Sequence, residues 1–255
     1  MKYCGFLYQQ ELKKMLRGKY ILVYVVVIFL NVISVIADYR DRIHSEMFLG
    51  NVHVAGEGLK YLFRHEYGNY GVMVLCLIPA MLIAGPVFSD EYENNMIDQI
   101  RTTQNGRKLD VWMRIVMVNT IQLLWMLIMT LTSIIFSFSL FDIGLNGITM
   151  YASAILKAAI NIILGNFFMT NLFLLSSVVA KNTITSLVIC FVVIIAPLFI
   201  EKEYLWMQFL PIIGMQAENF IVLSIFDAII IEIFYFLGGV ISILLCLYLN
   251  DKNYI

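Results

Sequence analysis

Apolar positions in this chain come in runs long enough to cross a bilayer, set apart by short polar segments. Residues 20–37 form a mostly apolar run that measures roughly 27 Å as a helix at ~1.5 Å per residue, close to the thickness of a hydrocarbon core. Comparable runs cover 70–88, 111–140, 148–179, 183–200 and 228–249, which predicts six transmembrane helices. Pro79 predicts a kink in the second, and Gly85-Pro86 mark its end. The third run exceeds what a bilayer needs, so its helix should tilt or project beyond the surface. Residues 205–213 are apolar but too short to cross, are interrupted by Pro211 and closed by Gly214, and are followed by the apolar stretch 220–226. That pattern predicts a re-entrant segment, 201–227, with two short helices dipping into the outer leaflet before the last span.

The polar segments complete the layout. Residues 1–19 place Lys2, Lys13, Lys14, Arg17 and Lys19 among Phe6, Leu7, Leu12, Met15 and Leu16, which predicts a cytoplasmic interfacial amphipathic helix. This basic lead-in and the ending Val35-Ile36-Ala37 also fit a secretory signal, but the run is long for a signal core and further spans follow it. Residues 38–69 read as an extracytoplasmic loop with at most one short helix, and 89–110 as a cytoplasmic segment. The expected fold is an all-α integral membrane protein, a single transmembrane domain over 1–255.

Composition supports lipid as the solvent. The chain is 61% hydrophobic and 14% charged, whereas a soluble domain has roughly 45–50% apolar and ~25% charged residues. A net charge of −1 leaves no global basic field for nucleic acid. Cys4, Cys76, Cys190 and Cys246 are too far apart for a CxxC or zinc pattern and read as membrane-packed thiols. With the N-terminus inside, 11 of the 17 Lys and Arg are cytoplasmic and five, Arg40, Arg42, Lys60, Arg64 and Lys202, are external. Lys157 falls within a span. This bias predicts both termini in the cytoplasm.

Candidate chemistry is sparse. The pair Gly18-Lys19 lacks the upstream glycine of a phosphate-binding loop and is followed by tyrosine. H-E-x-x-H and G-x-S-x-G motifs are also missing, so no catalytic residue and no metal ligand set is expected. His44, His53 and His65, near Glu46, Glu57 and Glu66, match no ligand spacing and read as solvated loop residues. In the fourth span Ser153, Lys157, Asn161 and Asn171 fall near one helical line, with Asn166 pointing away. Such a line must face protein or water: it lines a transport route, or its asparagines bond neighbouring helices while Lys157 snorkels. Thr130, Ser133 and Ser137 make a small-hydroxyl face suited to helix contact, and Glu232 is expected at the outer interface.

The segment after the second span is the most informative. It reads Ser89-Asp90-Glu91-Tyr92-Glu93-Asn94-Asn95-Met96, continues through Asp98 and Arg101, and reaches Thr102-Thr103-Gln104-Asn105-Gly106-Arg107 before Arg114. It resembles the ABC-2 type permeases, membrane subunits of ATP-binding-cassette exporters, in which an acidic E-Y segment leads through a short amphipathic helix to an L-x-T-P-x-x-R motif. Glu91-Tyr92 matches the acidic start, Thr103 the threonine, Arg107 the arginine and Arg114 the base that opens the next span. Asn95-Met96 stand where Gly-Thr is usual, and Gln104 where proline is usual. The T-T-x-N-G-R form is similar to Gram-positive permeases of peptide-antibiotic export and immunity.

The resemblance implies a bacterial cytoplasmic-membrane permease that exports an amphipathic substrate such as a peptide antibiotic. Its implied partners are cytoplasmic ABC ATPase subunits, which would bind ATP and Mg, a second permease copy or paralogue, and membrane lipid. A charge-balanced segment between two spans is what a separate ATPase could grip, through Asp90, Glu91, Glu93, Asp98 and Arg101, with Arg107 anchoring the helix. The rival expectation is a membrane sensor or scaffold that binds a ligand through the loop 38–69 and does not transport.

Overall fold

The computed structural model of the chain describes residues 13, 19–49, 70–93, 106–141, 145–199, 209–215 and 224–252. Among these the protein is all-helical, with no strand. In chain order the helices are α1 (Lys19–Leu49), α2 (Tyr70–Ala84), α3 (Ser89–Glu93), α4 (Gly106–Phe141), α5 (Leu145–Ala180), α6 (Thr183–Ile195) with the 3₁₀ turn Ala196–Phe199, α7 (Pro211–Gly214) and α8 (Ile225–Lys252). Three stretches, Asp110–Met129, Ala159–Ala180 and Ile225–Asp251, are long and apolar enough to cross a membrane. Ile21–Ser34 and Thr183–Ile195 are shorter apolar helices.

The boundaries depart from the sequence expectation in several places. α1 runs on to Leu49, so the first part of the expected loop 38–69 is helical; no Gly or Pro interrupts the chain before Gly50. α2 stops at Ala84, because Pro86 cannot supply an N–H to continue it. α4 begins at Gly106, which puts Arg107 and Asp110 on the third long helix and not in a loop before it. Ile225 and Phe226 belong to α8, not to a separate short helix. There the Ser224 hydroxyl accepts from the Asp227 N–H at 3.2 Å and donates to the Asp227 carboxylate at 2.6 Å, a cap that starts the helix early.

α5 is the axis of the fold. It packs against α2, α4, α6, α7 and α8, most extensively against α8. That approach is close because Gly238 offers no side chain: a Cβ there would come within 2.7 Å of the Phe168 ring. The core is apolar, with Leu77, Phe88, Ile115, Met129, Met169, Phe173 and Ile194 fully buried. Cys76, Cys190 and Cys246 are buried free thiols within it. The outward face is apolar too, as on α8, where Ile229, Ile233, Phe236, Ile241 and Leu244 are exposed. A surface of that kind suits lipid, not water.

Of the remaining expectations, the interfacial helix over 1–19 lies, apart from the helical Lys13 and Lys19, outside the described residues, as do Cys4, His53 and His65. His44 is on α1. In the expected re-entrant segment only 209–215 and 224–227 are described. The turn α7 is wholly buried against α5 and α2.

Candidate functional site

Where α2 breaks at Gly85-Pro86, the backbone leaves its own helix inside an apolar core. Every freed peptide group must find a partner there, since an unmet buried one costs about 1–3 kcal/mol. Part of the demand is met locally: Gly85 N–H donates to Met81 O at 2.9 Å, Val87 N–H to Ala84 O at 3.4 Å, and Asp90 N–H to Pro86 O at 3.0 Å. The rest is met by three other helices. The Ser177 hydroxyl of α5 accepts from the N–H groups of Phe88 and Ser89, both at 2.9 Å. The Gly85 carbonyl accepts from Ser186 of α6 at 2.8 Å and from Ser89 at 3.1 Å. The Val87 carbonyl accepts from Arg114 Nη1 of α4 at 3.2 Å.

The groups that hold the turn are themselves held. Arg114, 6% exposed, has its Nε 3.0 Å from the Asp110 carboxylate one turn earlier on α4. Ser176 Oγ lies 3.2 Å from Ser186 Oγ and 3.0 Å from Cys190 Sγ, joining α5 to α6. Gly85 is required here, because a Cβ would meet the Met81 carbonyl at 2.7 Å and Leu187 Cδ2 at 3.0 Å.

Directly beyond this node lies the expected coupling segment. Asp90 is half-buried on α3. Glu91 is on α3, its side chain outside the described part, and Asp98 and Arg101 lie outside the described residues altogether. Arg107 is on the first turn of α4, its side chain likewise outside. Glu93 is exposed and turned towards its own chain: its carboxylate accepts from Asn182 Nδ2 at 3.4 Å and from Thr183 N–H at 3.3 Å. It therefore sits at the positive N-terminal end of α6, beside the cap in which Asn182 Oδ1 accepts from Thr185 N–H at 3.1 Å. Lys181, in the left-handed conformation (φ 54°), turns the chain between α5 and α6 and carries its ammonium 5.8 Å from the Tyr92 ring. The Tyr92 hydroxyl donates to Asn250 of α8 at 3.2 Å. α3 is thus tied to the adjoining ends of α5, α6 and α8.

The polar line of α5 divides. Asn161 and Asn171 are fully buried. Asn161 Nδ2 donates to the Gly214 carbonyl of α7, fixing that turn. Asn171 and Asn119 of α4 exchange amide hydrogen bonds at 3.1 and 3.2 Å. Asn166, off the line, is buried as well and accepts from Gln122 Nε2 at 3.1 Å, which also donates to the Cys76 carbonyl of α2 at 3.2 Å. Lys157 is half-buried and acts electrostatically on Glu232 of α8. Ser153 is on α5, its side chain outside the described part.

Reading the sequence alone missed Ser176, Ser177, Ser186 and the buried role of Arg114. The available signal was the Gly-Pro break inside an apolar run, which obliges other helices to supply hydroxyls or a guanidinium. Among the described residues no group of three His, Cys, Asp or Glu is placed to hold a metal ion.

A family model described as ABC-2 family transporter protein matches residues 7–197, most of the described bundle and the whole of the node and coupling segment. No curated protein and no solved structure matches the chain.

Proposed function

The chain belongs to the ABC-2 family transporter proteins and is an integral-membrane transport subunit, and from that premise we propose that it is the six-span permease of a bacterial exporter driven by a separate ABC ATPase. ATP and Mg are handled by that ATPase, and this chain contributes no catalytic residue. It works in the cytoplasmic membrane with both termini inside, paired with a second copy or a paralogue.

The observation that carries the reading is the attachment of α3 to the node. A charged segment is bonded through a buried polar joint to α4, α5 and α6, so force applied to it reaches the bundle. Asp90, Glu91, Asp98 and Arg101 are the residues we assign to ATPase contact, with Arg107 anchoring the start of α4. Glu93 acts from within, by holding the α5–α6 turn.

The substrate is amphipathic, and a peptide antibiotic is the first choice. A groove of about 320 Å³ between α1 and α4, lined by residues that include Ile28, Ile121, Leu124, Trp125 and Ile128, is almost wholly apolar and open to the surroundings. It suits a molecule that arrives from lipid. A polar stretch of path along α5 is confined to positions 153 and 157, because Asn161 and Asn171 are occupied in holding helices.

The test is to ask whether an ABC ATPase is encoded beside the gene and, if one is, to co-purify the two and measure ATP turnover in nanodiscs. Glu91→Arg and Arg101→Glu are expected to reduce assembly or turnover at least several-fold, while Glu93→Gln leaves assembly intact. Full assembly and turnover in both charge-reversed variants would refute the coupling assignment. A neighbouring kinase in place of an ATPase would favour the sensor.

A further inference from the structure

A Gly-Pro break at the end of a membrane helix is usually a hinge, because the lost helical hydrogen bonds let the following segment swing. Here the same break has been filled. Between Ala84 and Ser89 the N–H groups of Gly85, Val87, Phe88 and Ser89 all donate, and the carbonyls of Ala84, Gly85, Pro86 and Val87 all accept. The partners that bind the break from outside come from three helices, and all of the side chains involved are buried: Ser177, Ser186 and Ser89 at 0% exposure, and Arg114 at 6%. Bending α2 at Gly85 would break several of these bonds together in a site where water does not replace them.

We infer that Ser177, Ser186 and Arg114 are positioning residues that convert the Gly85-Pro86 break from a hinge into a rigid transmission joint, so that α3 and the adjoining ends of α4, α5 and α6 turn as one body. The inference deepens the proposed function, since it says how a pull on the coupling segment is passed on. Without the joint, movement of α3 would be absorbed by the Gly-Pro break. With it, movement reaches α6 through Ser186 and α4 through Arg114. The Ser176 contacts to Ser186 and Cys190 keep α5 and α6 in step.

Cys190 supplies a native reporter in the joint, and buried Cys76 and Cys246 serve as internal controls for general loosening. In nanodiscs, hydrogen exchange is followed at the amides of Gly85, Val87, Phe88, Ser89 and Ser186, and N-ethylmaleimide labelling is read separately at each cysteine by peptide mass spectrometry. In the unaltered chain all of these sites stay protected, with or without the ATPase trapped by ATP and vanadate. Ser177→Ala is expected to raise exchange at Phe88, Ser89 and Ser186 together, and labelling at Cys190, by about tenfold, with Cys76 and Cys246 unchanged. In the complex it should still bind the ATPase but lose at least half of the effect that the permease has on ATP turnover.

The joint is refuted if exchange rises at Phe88 and Ser89 alone. It is also refuted if ATP and vanadate open residues 85–89 or Cys190 in the unaltered complex, the behaviour of a hinge. Should Ser177→Ala fail to insert, Ser186→Ala gives the same comparison, because it removes one of two hydroxyl donors to the Gly85 carbonyl. If the unaltered chain recruits no ATPase, the proposed function fails, while exchange and labelling on the chain alone still decide the joint.

Discussion

At the scale of single residues, several of the polar side chains inside this bundle are joints between helices. The amide pair Asn119–Asn171 shows the logic: each side chain supplies a donor and an acceptor, so neither helix is left with an unmet group from this exchange in an apolar core. A double-mutant cycle with Asn119→Leu and Asn171→Leu, measured by equilibrium unfolding in mixed micelles, should give a coupling of ~0.6 kcal/mol and at most ~1.7 kcal/mol. The close-packed glycines should be less forgiving. Gly238→Ala drives a methyl into the Phe168 ring and should cost about 1–3 kcal/mol, seen as a lower melting temperature. Gly85→Ala should cost at least as much, because the nearest atom to the new methyl is the Met81 backbone carbonyl, which cannot move aside as a side chain could.

At the scale of elements, α6 and α8 start where a side chain meets their orphaned backbone. α6 begins at Asn182, whose side chain accepts from the Thr185 N–H, and Glu93 adds a negative charge at the same end. Asn182→Ala should therefore loosen the first turn of α6 by ~1 kcal/mol, read as faster amide exchange at Thr185. Glu93→Gln should have a smaller effect of ~0.3–1 kcal/mol, and one that shrinks as salt is raised, because the charge is exposed and screened. A Glu93 effect independent of salt would contradict the dipole account. α1 teaches the converse lesson: the charged residues past its apolar run, from Asp38 onward, did not end the helix, because charge sets where lipid stops and does not by itself break a helix.

At the scale of the molecule, the bundle is built inside out around α5. Within the apolar stretches, 56% of the α5 stretch is buried but only 28% of the α8 stretch, so α8 is the more peripheral of the two and turns exposed isoleucines outward. Ile241→Asp, near the middle of α8 and exposed, should raise the cost of membrane insertion by roughly 3 kcal/mol and sharply reduce the membrane-integrated fraction. Recovery of that variant at normal levels in the membrane would mean that this face does not meet lipid.

Sequence alone determined the class of the protein and most of its helix layout, since those depend on one-dimensional quantities: the length of apolar runs, the positions of Gly and Pro, and the residues Glu91-Tyr92 and Thr103 to Arg107 that carry the family resemblance. It could not determine which polar residue met which. Ser177 lies 88 positions from Ser89, and Ser186 lies 101 from Gly85, so no local pattern links them. Only packing the helices side by side assigned Ser177, Ser186 and Arg114 to the broken end of α2, turned Glu93 towards α6, and made Asn161 and Asn171 fastenings between helices. The physical reason is that apolar runs are satisfied by any nonaqueous surroundings, whereas a buried hydrogen bond is satisfied only by a partner about 3 Å away, which the tertiary fold alone supplies.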